Sequence, residues 1–167
     1  ADVKPFLYNL FADPDIIRLP AAVSGIQTAL AWLIAKRRAP RSREAYDAIG
    51  GGSPITKFTN AQAKLLEDEL NKDSEFDFKC YVAMRYWHPF TDEALALAAN
   101  DECQSAVILP LYPHFSISTT GSSLRALLAE LPPRLMQRHT VVPSWHDSEG
   151  YIDVVANLVA KELEQLE

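Results

Sequence analysis

The sequence predicts an α/β domain in which helices cover both faces of a parallel sheet. Two observations lead there. From residue 78 onward, strand-like apolar runs alternate with segments of helical spacing, the order expected of strand–helix–strand units on a parallel sheet. The length of 167 residues, 48% hydrophobic and 23% charged, suits one domain with a packed core.

The elements follow in order. In "DVKPFLYNLFADPDIIRLP" (2–20), Phe6, Leu7, Leu10 and Phe11 recur at helical spacing until Asp13, Pro14 and Asp15 break the pattern. "AAVSGIQTALAWLIAKRRAP" (21–40) places Val23, Ile26, Leu30, Leu33 and Ile34 on one side of a helix. Its end is expected at the cations before Pro40. "RSREAYDAIGGGSPI" (41–55) brings three glycines and a Ser-Pro, a tight loop. "TNAQAKLLEDELNK" (59–72) reads as a helix capped by Thr59 or Asn60. Strand-like "FKCYVAMRYW" (78–87) precedes the helix "TDEALALAAND" (91–101), with Thr91 as its cap. "SAVILPLY" (105–112) is a second strand, and "TTGSSLRALLAEL" (119–131) a helix stopped by Pro132 and Pro133. "HTVVPSW" (139–145) is a third strand and residues 150–167 an amphipathic helix.

The net charge of −6 and pI of about 5.2 argue against broad electrostatic binding of nucleic acid. No apolar run reaches the ~20 residues of a membrane span. Cys80 and Cys103 sit in no metal-binding or redox spacing and read as reduced thiols.

In parallel sheets, ligands bind beyond the carboxyl ends of the strands. "MRYWHPF", "PLYPHFSISTTGSS" and "PSWHDSEGY" all leave strands there, and their aromatic and polar residues suit a large flat ligand carrying a few charges. Each motif has two uses. "IGGGSP" makes a plain turn or cradles an anion on its backbone N–H groups. "KRRAPRSR" (36–43) is a solvated helix end or a carboxylate clamp, since guanidinium forks pair with carboxylates through two parallel bonds. The hydroxyls of "STTGSS" cap a helix or receive an anion. His88 and His114 lack the spaced partners of a metal site and read as hydrogen-bonded structural residues. His139 and His146 receive no role.

Together these stretches resemble the ferrochelatase family. "AKRRAP", "YDAIGGGSPI", "TNAQ", "MRYWHPF", "LPLYPHFSISTTGSSL" and "VVPSWHDSEGYI" occur in family order across nearly the whole chain. The wording of "MRYWHPF" and "PSWxxxxGYI" is similar to the plant and cyanobacterial branch. The resemblance implies insertion of Fe(II) into protoporphyrin IX, the last step of haem synthesis. It also implies a chelatase-like, Rossmann-like three-layer fold of two similar halves. Residues 1–167 would be the N-terminal half, without the family's first strand and its "LNLGGP"-like loop.

By position in the matching motifs, Arg38 and Arg41 are expected to meet the porphyrin propionates, with Tyr46, Ser53 and Gln62 in the same network. Tyr112, Ser116 and Ser118 are expected on the wall of the porphyrin cleft. Arg85 and Tyr86 resemble a pair near the metal-binding face of the macrocycle. Phe6, Leu7, Leu10 and Phe11 resemble a hydrophobic lip that rests on a membrane surface; ordinary core packing is the other use of such residues. Some relatives place an iron–sulfur ligand where this chain has Ile117, so no cluster is expected there. The family's catalytic histidine belongs to an "SAHGxP"-like motif that does not occur in the 167 residues. No catalytic residue is therefore assigned, the metal ligands stay unassigned, and this half alone is expected to be inactive. The partners implied are a tetrapyrrole and either a C-terminal half or a protein that covers the incomplete sheet. A plastid, a mitochondrion or a cyanobacterial cell is the implied location. The alternative is a non-catalytic, tetrapyrrole-binding subunit derived from the family.

Overall fold

The structure is a computed structural model that describes residues 3–166, apart from the side chains of residues 21–23. The chain forms two compact units, Ala1–Cys103 and Gln104–Glu167. The fold is α/β: among the described residues there are seven α-helices and one parallel sheet of two strands.

The first unit begins with α1 (Val3–Ala12). Pro5 is tolerated because first-turn N–H groups have no intrahelical partner. Pro14 ends the helix by biasing residue 13 away from helical geometry. A 3-10 turn, Ala21–Ile26, leads into α2 (Gln27–Ala48). Leu7 and Phe11 of α1 form a buried cluster with Ala31, Ala35 and Ala39 of α2.

That packing corrects two expectations. The buried row on α2 is alanine, with Ala31 and Ala35 fully buried, whereas Ile26 and Leu33 are exposed and Leu30 and Ile34 half-buried. The side chain of Val23 lies outside the described ones. Small residues win this face because α1 supplies the bulk, and close-packed helices leave little room for large side chains on both partners. The second correction concerns Pro40, which does not end α2 but lies inside it. The loss is one backbone donor, and Ala39 buried against α1 holds the helix through the proline.

Helix α2 ends instead at glycine. Gly50 and Gly51 have φ of 109° and 90°. The Gly51 N–H donates to the Tyr46 carbonyl (2.9 Å) and the Gly50 N–H to the Asp47 carbonyl (3.2 Å), the paired bonds of a Schellman cap. The helix α3 (Ile55–Leu70) starts four residues before the expected Thr59. Ser53 sets that start by accepting the Ile55 N–H (3.3 Å). In α4 (Thr91–Asn100), Phe90 and not Thr91 is the N-cap residue. The Glu93 carboxylate accepts the Phe90 N–H (2.6 Å), so the helix is closed from its third position.

The expected strand at 78–87 pairs with no strand among the described residues. Its backbone bonds go elsewhere. The Phe78 N–H donates to Asn71 Oδ1 (2.8 Å), the Cys80 N–H to a Glu67 carboxylate oxygen (2.7 Å) and the Met84 N–H to the Pro89 carbonyl (2.7 Å). Side chains from the end of α3 thus occupy donors that a ladder would use.

In the second unit, β1 (Ala106–Ile108) pairs in parallel with β2 (His139–Val141), Val107 opposite Thr140. Between them lie a π-helical turn at Ile117–Gly121, α5 (Ser122–Glu130) and the short α6 (Pro133–Met136). Helix α5 stops before Pro132, and Pro133 then opens α6, where its missing N–H has no cost. Helix α7 (Glu149–Leu163) closes the unit.

Candidate functional site

In the first unit, Arg85 and Tyr86 meet on a carboxylate. The Tyr86 hydroxyl donates to Asp13 Oδ2 (2.8 Å), and Arg85 Nη2 lies 2.9 Å from the same oxygen. The Arg85 guanidinium sits 5.1 Å from the centre of the Tyr86 ring. Asp13 is only 4% exposed, so its charge needs both donors. Its other oxygen, Oδ1, accepts the Asp15 N–H (2.8 Å), the bond of an Asx turn. Asn9 of α1 donates to the Tyr86 carbonyl (3.1 Å). Gln27 of α2 donates to the carbonyls of Phe11 and Ile17 (both 3.1 Å), which holds the turn after α1 against the start of α2.

A second feature lies on α2. Arg37, Arg38, Arg41 and Ser42 line a surface cleft of about 560 Å³ together with Ala45. Arg38 and Arg41 are three residues apart and so share a helix face. Arg38 also sits 5.4 Å from the centre of the Phe11 ring. Three guanidinium groups and a hydroxyl give this cleft donors of the kind that pair with carboxylates. Tyr46, Ser53 and Gln62 are not among its lining residues: Tyr46 is half-buried near the end of α2, Ser53 exposed before α3, and Gln62 exposed on α3.

His88 binds Glu93, its Nδ1 lying 2.9 Å from both carboxylate oxygens. That bond first, and the Phe90 N–H second, hold the Glu93 carboxyl below its usual range. Leu7 and Phe11 point into the α1–α2 cluster, while Phe6 and Leu10 are half-buried beside it.

In the second unit, strands β1 and β2 are parallel, so the segments after them leave the same end of the sheet. They are tied together there. The Trp145 indole N–H donates to the Pro110 carbonyl (2.9 Å), and the Trp145 backbone N–H to the Pro113 carbonyl (3.0 Å). Tyr112 is exposed on this loop. The Ser116 hydroxyl is 2.7 Å from that of Thr119 and 3.3 Å from that of Ser118. These hydroxyls do not cap α5, because the π turn runs into it without a break: Gly121 is already helical, at φ −62° and ψ −47°. The Gly121 N–H reaches back to the Ser116 carbonyl (2.9 Å). Ile117, half exposed at the start of that turn, offers only hydrocarbon.

Among the described residues, no three His, Cys, Asp or Glu side chains converge as a group that could hold a metal ion. No helix among them is long and apolar enough to cross a membrane. Sequence reasoning treated Asp13 only as a helix breaker and passed over Asn9 and Gln27. The Asp-Pro-Asp of residues 13–15 did signal an Asx turn, but nothing in it pointed to residues 85 and 86, more than seventy positions away.

The Ferrochelatase family model matches residues 1–167. The chain is 53% identical over 165 residues to Ferrochelatase-2, chloroplastic, of Oryza sativa subsp. indica, covering 97% of this chain and 31% of that protein. It is 51% identical over 167 residues to the ferrochelatase of Gloeothece citriformis, covering 98% of this chain and 42% of the relative. The ferrochelatase of Synechocystis sp. gives the same identity, length and coverage. The chain thus spans roughly a third to two fifths of the length of these curated relatives.

Proposed function

The chain belongs to the ferrochelatase family, and on that premise we propose that it forms the N-terminal half of an enzyme inserting Fe(II) into protoporphyrin IX. The half is then a chelatase-like, three-layer α/β domain spanning residues 1–167. The observation that supports this reading most is the cleft on α2, where Arg38 and Arg41 stand beside Arg37 and Ser42. Porphyrin propionates are anions on an otherwise apolar disc, and drawing them out of water requires cations and donors.

The other roles follow. Tyr46, Ser53 and Gln62 extend the propionate network. Tyr112, Ser116 and Ser118 belong to the cleft wall, where an exposed aromatic ring and a hydroxyl cluster meet the macrocycle and its rim. Arg85 and Tyr86 lie near the metal-binding face. Phe6 and Leu10 present the lip, with Leu7 and Phe11 anchoring it from behind, and through it the protein rests on a membrane surface in a plastid or a cyanobacterial cell. Metal insertion removes two pyrrole N–H protons, which calls for a positioned base. His88 is not given that role: its place within "MRYWHPF" matches a structural position of the family, and its Nδ1 is bonded to Glu93.

The test is a kinetic comparison in the complete protein. Arg38→Ala and Arg41→Ala should each raise the KM for protoporphyrin about tenfold, with a smaller change in kcat, as expected when a ground-state contact to a charged group is lost. An unchanged KM in both variants would remove the propionate assignment. A complete protein that binds porphyrin, read from its absorption band, but inserts no metal would favour the second reading, a non-catalytic tetrapyrrole-binding subunit.

A further inference from the structure

We propose that Asp13 is a positioning residue for metal insertion, holding Arg85 and Tyr86 on one carboxylate oxygen and cancelling the Arg85 charge where a divalent cation approaches. This inference rests on the reading above that Arg85 and Tyr86 face the metal side of the macrocycle.

The geometry supports a direction of control. Asp13 is fixed by its own turn before it meets the pair. Its Oδ1 accepts the Asp15 N–H (2.8 Å), and its carbonyl accepts the N–H groups of Ile16 and Ile17 (both 3.1 Å). Oδ2 is thereby aimed, and it takes the Tyr86 hydroxyl at 2.8 Å and Arg85 Nη2 at 2.9 Å. Arg85 lies over the Tyr86 ring at 5.1 Å, so the three side chains form a closed triangle. Asn9 fixes the Tyr86 carbonyl from α1 (3.1 Å), so side chain and backbone of the pair are both held from the N-terminal segment.

Two chemical consequences follow. The Tyr86 hydroxyl hydrogen is committed to Asp13, so any further group that the oxygen meets, it meets as an acceptor. Arg85, 30% exposed at its side chain, is paired with a carboxylate that is 2% exposed. A bare guanidinium would repel an incoming dication, and at partial burial water screens that repulsion poorly. Paired with Asp13, Arg85 keeps its shape and its donors without presenting a net charge.

The experiment uses the complete protein, with Fe(II) and protoporphyrin IX varied separately. Asp13→Asn keeps an oxygen for the Asp15 N–H and puts a donor where Oδ2 was. The expected result is a metal KM raised about tenfold, with the porphyrin KM within about twofold of the parent. Charge coupling predicts that D13N/R85Q returns to the metal KM of R85Q alone, a non-additivity that a purely structural role would not produce. Metal and porphyrin parameters that change equally in D13N, or a change confined to thermal stability, would overturn the proposal. R85Q and Y86F separate the two levels of inference. If both insert metal normally, the placement of the pair fails and Asp13 falls with it. If both are impaired while D13N is normal, only the Asp13 role fails. Should D13N not fold, a folded D13N/R85Q supports the charge pairing; a double variant that also fails to fold assigns Asp13 to its turn and overturns the proposal.

Discussion

Asp101 shows how one carboxylate organises its neighbours. It accepts the Tyr81 hydroxyl (2.6 Å) and pairs with Lys79 Nζ (2.9 Å). The Tyr81 bond, then the Lys79 bond, hold the Asp101 carboxyl below its usual range. Tyr81 moves up, chiefly by burial and then by its bond to Asp101. Lys79 moves up through its bond to Asp101. A carboxyl depressed on folding contributes stability above its unfolded pKa, and that contribution disappears as pH falls through the folded value. Asp101→Asn should therefore flatten the acid limb of the stability profile below about pH 4, measured by urea unfolding between pH 2.5 and 7; an unchanged acid limb would refute it. The tyrosine and lysine act at the other end, their stabilisation fading as pH rises above about 10. Nearby, burial first and the Glu67 charge second raise the Cys80 thiol, which keeps it protonated and slow to react at neutral pH. At this scale the arginines of "KRRAPRSR" were legible, because a clustered charge type shows in one dimension. Asp13 was not, because its partners lie at residues 85 and 86.

At the scale of elements, the interface of α1 and α2 depends on size complementarity. Leu7 and Phe11 contribute about 1.5–3 kcal/mol each by leaving water, and they can do so because alanines face them. Ala35→Leu should cost about 1–3 kcal/mol through overpacking, read as a lower urea midpoint at unchanged slope; a midpoint equal to the parent's would mean that the interface has spare room. The sequence signalled α2 by its period but misdirected its buried face, since large apolar residues carry the hydropathy while small ones carry the contact. It also misjudged Pro40, because the cost of a proline within a helix is local and tertiary packing outweighs it. The turn at Gly50 and Gly51 was legible in "IGGGSP" as a tight loop, though not as the end of α2, since positive φ angles favour glycine but do not say which element precedes it. The run at 78–87 has strand composition, yet strand pairing is a property of two segments, and Asn71 and Glu67 take its donors instead.

At the scale of the whole molecule, the chain carries many exposed apolar side chains. Ile55, Phe58, Leu65 and Leu66 on α3, and Ile152, Val154, Leu158 and Val159 on α7, are all exposed. The 167-residue chain by itself should therefore bind an anionic hydrophobic dye strongly while keeping a cooperative unfolding transition; weak dye fluorescence would refute this. The amino-acid sequence by itself determined the α/β class, most helix positions, the two paired strands and the family, because these rest on local period, turn chemistry and the order of motifs along the chain. The tertiary structure alone decided that Asp13 gathers Arg85 and Tyr86, that alanines line the α1–α2 contact, and that α2 runs on through Pro40, so that Arg37, Arg38, Arg41 and Ser42 stand on one helix. Those facts depend on which distant residues meet in space and how closely side chains pack, and neither quantity is written in a one-dimensional pattern.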